Sequence, residues 1–159
     1  MGTGNGHAAE LRLRHYATGD PPRVLRWYEA DRKGFEAFMG TTLPDGVALT
    51  MAMTALLQAA SNQQALFQMI DSGSETIGFT GLTNMTPDRS FGQPHLYIAP
   101  PYRRQSLAAA QFAERHAQEL GVKHFLISVD TDNPRGLALA KRLHYVEVPR
   151  RTFLKELSQ

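Results

Sequence analysis

The first half of the chain has the pattern of one strand followed by helices. Residues 10–16 alternate leucines with arginines, the period of two that is typical of a strand with one buried face. Asp20, followed by two prolines, signals a helix start, and apolar residues recur at helical spacing from there to residue 38. This pattern predicts one or two helices. A nearly uncharged segment rich in Ala, Leu and Met predicts another, largely covered helix over residues 45–60.

The second half begins with three short strand patterns. They span residues 65–71, 76–84 and 94–98 and are separated by the sequences DSGSE and TPDRSFG, both rich in turn residues. Strands joined by such short turns predict an antiparallel meander. The strongest helix pattern follows over residues 103–120, where small and apolar residues repeat every three or four positions until Gly121.

The last part predicts a strand, a short helix and closing strands. Residues 123–129 are an apolar run, residues 133–143 open with a capping residue and a proline, and residues 145–157 hold one or two strand patterns. In order, these elements predict a single α/β (α+β) domain over residues 10–159. Residues 1–9 have the composition of a flexible leader.

Composition narrows the class of protein. The chain has 159 residues, of which 42% are apolar and 20% charged, as in one soluble folded domain. The absence of cysteine excludes disulfide scaffolds, thiolate metal sites and acyl-cysteine intermediates. No apolar stretch reaches the roughly 20 residues of a membrane-spanning helix, and the first residues lack the pattern of a secretory signal. We therefore expect a cytoplasmic protein with no membrane partner.

Basic residues are concentrated in the last third of the chain. Residues 1–100 contain seven Lys and Arg against nine Asp and Glu, whereas residues 101–159 contain ten against six. This asymmetry suits an anionic partner, which leaves nucleic acid, an anionic cofactor, an acidic protein or merely a well-solvated surface open. Motifs of hydrolases, nucleoside triphosphatases and metalloenzymes are absent from the sequence, so no metal is expected.

Three segments carry a family resemblance. The sequences IGFTGLTN (77–84), LYIAPPYRRQSLAAA (96–110) and DTDNPRGLALAKRLHY (130–145) resemble successive core motifs of the GNAT superfamily of N-acetyltransferases. The resemblance is closest to the branch of ribosomal-protein N-terminal acetyltransferases, to which LRLRHY and Trp27 are also similar. It implies a mixed, mostly antiparallel sheet of about six or seven strands with about four helices. It further implies a V-shaped splay between the fourth and fifth strands.

The resemblance implies acetyl-CoA as cosubstrate. In the family, backbone N–H groups between a strand and a long helix bind the pyrophosphate, as helix N-termini do, and a splayed strand edge binds the pantetheine arm. Ser106 stands where the family usually has glycine. Asn133 corresponds to a residue that reaches the arm, although it is equally suited to cap a helix. The implied cofactor residues are Leu96, Ile98, Arg103, Arg104, Gln105, Ser106, Leu107, Ala108 and Asn133.

The family's usual proton-transfer residues are missing here. Ser128 occupies the place of a catalytic glutamate in some relatives, and Ala140 that of the tyrosine that acts as general acid. His95 is then our first candidate for the base, against the alternative of a strand histidine on a solvated face. Tyr97 and Ser128 are further catalytic candidates. Trp27, Tyr28 and Glu29 correspond to the acceptor-side helices, although helical spacing also suits a core position for Trp27.

The sequence thus predicts an acetyl-CoA-dependent N-acetyltransferase that acts by direct attack of a primary amine on the thioester. The amine is that of a protein N-terminus, a side chain or a small molecule. The alternative is a GNAT-fold CoA-binding module with weak or no catalysis, for which the departures at Ser106, Ser128 and Ala140 argue. Nucleic-acid binding ranks lowest because stacking aromatics are few. The closing strands could pair between subunits, which leaves a homodimer open.

Overall fold

Helices cover both faces of a central sheet in the computed structural model, which describes residues 10–39, 50–51, 54 and 66–148. Residues 50, 51 and 54 are helical; the rest of the helix predicted over residues 45–60, like the leader, lies outside the described residues. In chain order the elements are β1 (Leu11–His15), α1 (Pro21–Ala30), α2 (Arg32–Met39), β2 (Leu66–Ser72), β3 (Glu75–Thr83), β4 (Phe91–Ile98), a 3-10 turn (Pro100–Gln105), α3 (Ser106–Glu119), β5 (His124–Phe125) and α4 (Pro134–Arg142).

The strands lie side by side in chain order. β1 to β4 pair in antiparallel, with β2 to β4 joined by short turns as the predicted meander, and β5 joins β4 in parallel through the pairs Phe91–His124 and Gly92–Phe125. The predicted α/β fold with a mixed, mostly antiparallel sheet is confirmed. Five strands are present in the described residues, against the six or seven predicted. Residues 145–148 form no strand, and the remainder of the predicted closing strands lies outside the described residues.

Each face of the sheet has its own core. On the first face, α1 and α2 pack aromatic side chains against β2, β3 and β4, with Phe79 at the centre and fully buried. Rings of Phe35, Phe38, Phe67 and Tyr97 lie 4.6–5.4 Å from it, centroid to centroid. On the second face, α3 packs on aliphatic residues of the sheet, mainly isoleucines. The period of two along the strands separates these two cores.

A polar cluster fixes the start of α1 to the edge of the sheet. The Asp20 carboxylate, 2% exposed, accepts from Arg14 Nη1 at 2.6 Å and Nη2 at 2.7 Å, and from Arg23 Nη1 at 3.1 Å. Arg14 Nε also donates to Asp71 on β2 at 3.0 Å. Asp20 therefore does not cap α1 with its side chain, although the sequence marks it as a helix-start residue.

Two strand boundaries differ from the sequence prediction for physical reasons. β4 starts at Phe91 rather than at residue 94, because Gly92 fits beside Leu82, where an added Cβ would lie 2.7 Å from Cδ1. The apolar run over residues 123–129 forms only the two-residue strand β5. Its later residues leave β4 and become a cavity wall, so their apolar character comes from lining a cavity rather than from sheet pairing.

Candidate active site

A cavity of about 500 Å³ lies where β4 and the chain after β5 diverge. The last hydrogen bond between them runs from Leu126 N–H to Gly92 O at 3.2 Å. Beyond it, β4 and residues 127–130 form opposite walls, which is the V-shaped splay that the resemblance implied. Helices α3 and α4 close the cavity with mostly small or apolar residues: Ala110, Ala113, Ala117, Gly136, Leu139 and Ala140.

β4 presents a free main-chain edge to the gap. Ala99 N–H donates to Ile77 O on β3 at 2.9 Å, and successive residues of a strand direct their backbone groups to opposite sides. Leu96 and Ile98 therefore direct their N–H and C=O groups away from β3. Within the described ranges no strand pairs with them on that side. An extended ligand arm can bind there as an added strand would.

The segment before α3 is helical rather than an open loop. The 3-10 turn leads directly into α3, where Ser106 has φ −56° and ψ −40° and donates its N–H to Arg103 O. A right-handed backbone needs no glycine, so the serine at this position is unstrained. Gln105 turns towards the sheet, since its Oε1 accepts from the Ser72 hydroxyl at 2.9 Å. Leu107 is half-buried and Ala108 exposed.

The two arginines of the turn have different surroundings. Arg103 forms an ion pair with Asp31, at the junction of α1 and α2, and its side chain is 34% exposed. Arg104 is exposed and makes no ion pair with the residues that the structure describes. Its guanidinium is thus available to an anion near the N-terminus of α3, where the helix dipole adds positive potential.

His95 lines the cavity and has both ring nitrogens hydrogen-bonded. Nδ1 lies 3.1 Å from Phe38 O, and Nε2 lies 2.8 Å from Thr83 Oγ1. A carbonyl oxygen only accepts, so Nδ1 carries the proton and Nε2 accepts from the threonine hydroxyl. Burial lowers the pKa of His95, against a smaller opposing effect of the bond to Phe38. The imidazole is therefore neutral at pH 7, with its basic nitrogen facing Thr83.

Tyr97 shares a sheet face with His95, as the period of two predicts, but it lies in the aromatic core and outside the cavity lining. It is 3% exposed, and its hydroxyl donates to Asp31 Oδ2 at 3.2 Å. Burial, followed by the charge of Asp31, raises the pKa of Tyr97. The structure thus gives this tyrosine a hydroxyl that stays protonated and is already bound.

Ser128 and Asn133 both line the mouth of the cavity. Ser128 is exposed, on the segment that diverges from β4. Asn133 precedes α4, and its Oδ1 accepts from Gly136 N–H at 3.0 Å, the helix cap that its sequence context also allowed. The cap uses the amide oxygen of Asn133, so its Nδ2 group remains a potential donor.

Sequence reasoning did not identify Tyr145 and Glu114 as cavity residues. The Tyr145 hydroxyl donates to Glu114 Oε1 on α3 at 3.0 Å, and both residues line the cavity. Burial, followed by the charge of Glu114, raises the pKa of Tyr145. The preceding residue, His144, has φ 62°, and the bonds from Tyr145 N–H to Ala140 O and from His144 N–H to Lys141 O complete a Schellman motif. That left-handed residue turns Tyr145 back onto α3, and no local sequence pattern signals this turn.

The acceptor-side candidates on α1 lie outside the described lining of the cavity. Trp27 is half-buried, with its ring 6.3 Å from that of Phe79 and 6.0 Å from that of Tyr97. Tyr28 is 5% exposed and meets Phe35 edge-on at 5.9 Å. Glu29 is exposed. Two of the three candidates thus pack in the core, and one faces solvent.

Comparisons with known proteins test the family resemblance. The sequence profile of the acetyltransferase (GNAT) domain matches residues 10–146. Comparison with curated proteins gives no match. In the described ranges no helix is long and apolar enough to cross a membrane.

Several solved acetyltransferases have a similar fold. The enzyme from Salmonella typhimurium that modifies the N-terminal serine of a 50S ribosomal subunit protein aligns with a TM-score of 0.70 at 14% identity, over 84% of this chain and 79% of that one. Spermidine N-acetyltransferase from Vibrio cholerae, solved with CoA and spermine, has a TM-score of 0.68 at 14% identity, over 83% and 78%. N-acetyltransferase PseH from Campylobacter jejuni, solved with acetyl coenzyme A, has a TM-score of 0.68 at 13% identity, over 89% of this chain and 92% of that one.

Proposed function

Because the chain belongs to the GNAT family of acetyltransferases, we propose that it transfers an acetyl group from acetyl-CoA to a primary amine. The amine nitrogen attacks the thioester carbonyl carbon and the carbon–sulfur bond breaks. The nitrogen loses a proton, and the departing thiolate takes one up from water. The observation that carries the proposal is the free edge of β4, which borders the cavity and leads to the turn before α3.

The cofactor is assigned to this edge and this turn. Leu96 and Ile98 offer backbone donors and acceptors to the amides of the pantetheine arm, as an adjacent strand would. The diphosphate is assigned to the N-terminal end of α3, with Arg104 as its exposed cation. Asn133 donates to the arm through Nδ2, since its oxygen caps α4. These roles for the turn and for Asn133 follow the family pattern.

His95 is assigned as the base. An alkylamine has a pKa of about 10 and is protonated at neutral pH, so it must lose a proton before attack. His95 is neutral, and its basic Nε2 already accepts from Thr83 Oγ1. We therefore route the proton from the amine to the Thr83 hydroxyl and on to His95. We assign Ser128 a hydrogen-bonding role at the mouth of the cavity. We assign Tyr97 a packing role, because its hydroxyl is already bound to Asp31.

The acceptor is a primary amine of a protein N-terminus, a side chain or a small molecule. Proteins of similar fold act on the N-terminal serine of a ribosomal protein and on spermidine, so both kinds of amine belong in a substrate panel. Among the α1 candidates, Glu29 is the one whose exposure lets it contact an acceptor.

Acetyl-CoA titration followed by thiol release over a panel of amines tests the proposal. Calorimetry measures binding first, and turnover is then compared for the wild type, Thr83→Val and the conservative control Thr83→Ser. Loss of proton transfer lowers kcat/KM by roughly 100-fold or more in the valine variant, while serine retains the hydroxyl and most activity. Binding without turnover supports the CoA-binding module instead. No acetyl-CoA binding contradicts both functions, and full activity of Thr83→Val contradicts the relay.

A further inference from the structure

Asp31 joins three parts of the fold that are distant in sequence. Its N–H donates to Trp27 O at 2.9 Å and its C=O accepts from Phe35 N–H at 3.2 Å, so it forms the corner between α1 and α2. Its Oδ2 accepts from Arg103, in the turn before α3, and from the Tyr97 hydroxyl, near the end of β4. One carboxylate oxygen therefore ties the helical corner to the proposed cofactor turn.

Arg103 is paired with this carboxylate and belongs to the turn that leads into the proposed diphosphate site. A guanidinium that pairs with a carboxylate is partly neutralised, so a diphosphate and Asp31 compete for it. We propose that Asp31 is a positioning residue, which holds Arg103 against the α1–α2 corner in the free protein and releases it to the diphosphate when the acyl donor binds. This inference rests on the function proposed above.

Release of Arg103 changes the contacts of the α1–α2 corner, and the family resemblance assigns α1 to the acceptor side. Tyr97 donates to the same carboxylate oxygen, and its ring lies 6.0 Å from that of Trp27, one helical turn before Asp31. In this proposal donor binding is transmitted to α1 and to an acceptor bound there, and the acceptor changes donor affinity by the same factor because such coupling is reciprocal. Trp27 is the one tryptophan of the chain, which makes its fluorescence a direct probe of this step.

Titration of CoA into the wild type, Asp31→Asn and Glu36→Gln tests the proposal, with calorimetry and Trp27 fluorescence as readouts. Asp31→Asn removes the competitor and binds CoA roughly fivefold tighter or more. It also lacks the change in Trp27 fluorescence that we expect CoA to produce in the wild type. Glu36→Gln is the matched control, because it removes a carboxylate of an exposed pair with Arg32 on α2, and it behaves as the wild type. A merely structural Asp31 gives the opposite sign, weaker CoA binding.

Gly34→Ala provides the same test without a change of charge. A Cβ at this position would lie 2.2 Å from Asp31 Oδ2, so the carboxylate cannot keep its present position, and we expect its contact with Arg103 to weaken. Tighter CoA binding in this variant supports the proposal even if Asp31→Asn fails to fold. If the wild type binds CoA but neither variant binds it more tightly, the inference is wrong and the proposed function stands. If the wild type does not bind CoA, the proposed function is wrong and this inference with it.

Discussion

Asp20→Asn tests whether the buried charge cluster holds α1 on the sheet. The substitution keeps the shape of the side chain but removes the charge that faces Arg14 and Arg23. Loss of one partner of a buried ion pair costs about 3–5 kcal/mol. Arg14 retains Asp71 and its side chain is 26% exposed, so we take the lower end, about 3 kcal/mol. For a domain of this size that lowers the melting temperature by about 6–12 °C.

Urea unfolding measures this change against a control in the same cluster. Arg12 also pairs with Asp71, but its side chain is 71% exposed. Arg12→Gln should therefore lower the free energy of unfolding by less than about 1 kcal/mol. A loss below about 1 kcal/mol for Asp20→Asn, or equal losses for the two variants, would refute the assignment of Asp20 as the residue that holds α1.

The difference in stability between the wild type and Asp20→Asn depends on pH. The hydrogen bond from Arg14 is the largest cause that lowers the pKa of Asp20 below its ordinary value of 3.8. A group with a lowered folded pKa stabilises the fold above its unfolded pKa, and the effect is lost as pH falls through the folded value. The difference in unfolding free energy between wild type and Asp20→Asn is therefore constant from pH 7 to about 5 and shrinks below about pH 4. A difference that grows on acidification contradicts this.

Three further substitutions test local features of the site. Ser106→Gly lowers the free energy of unfolding by about 0.5–1 kcal/mol and leaves CoA affinity unchanged, since φ is −56° there; unfolding and calorimetry check both. His144→Gly raises the melting temperature, because a left-handed backbone such as its φ of 62° costs a residue with a Cβ about 1–2 kcal/mol. Tyr145→Phe loses the hydrogen bond to Glu114 that ties the chain after α4 to α3. We expect it to raise KM for acetyl-CoA severalfold with little change in kcat. An unchanged KM contradicts a role of this bond in shaping the cofactor cavity.

The strands and helices were predictable where one periodic pattern faced one core. β1, β2 and β3 lie within one residue of their predicted bounds, as does the start of α4, because alternation and capping are local signals. The pattern failed where the apolar residues face something other than the sheet core. Residues 127–129 belong to a run with the composition of a strand, yet they line the cavity, and a sequence run cannot distinguish these two environments.

The candidate site was only partly predictable because its geometry depends on contacts distant in sequence. The period of two correctly placed His95 and Tyr97 on one face. It could not show that one lines the cavity while the hydroxyl of the other is bound by Asp31, 66 residues away. Tyr145 reaches the cavity only because His144 adopts a left-handed backbone, and a histidine in the sequence does not predict that conformation.

The departure of Ser106 from the family pattern and the Arg103–Asp31 pair have one structural cause. A glycine is needed where an open loop turns through left-handed backbone, but here the chain passes from the 3-10 turn into α3 with right-handed dihedrals throughout the junction. The helical path uses the Ser106 N–H in a bond to Arg103 O. It also fixes the position of Arg103 within reach of the corner at Asp31. A turn that needs no glycine thus has fewer free backbone donors and one arginine already paired. With the roles proposed above, affinity for CoA then depends more on Arg104 and on release of Arg103 than it would in an open glycine loop.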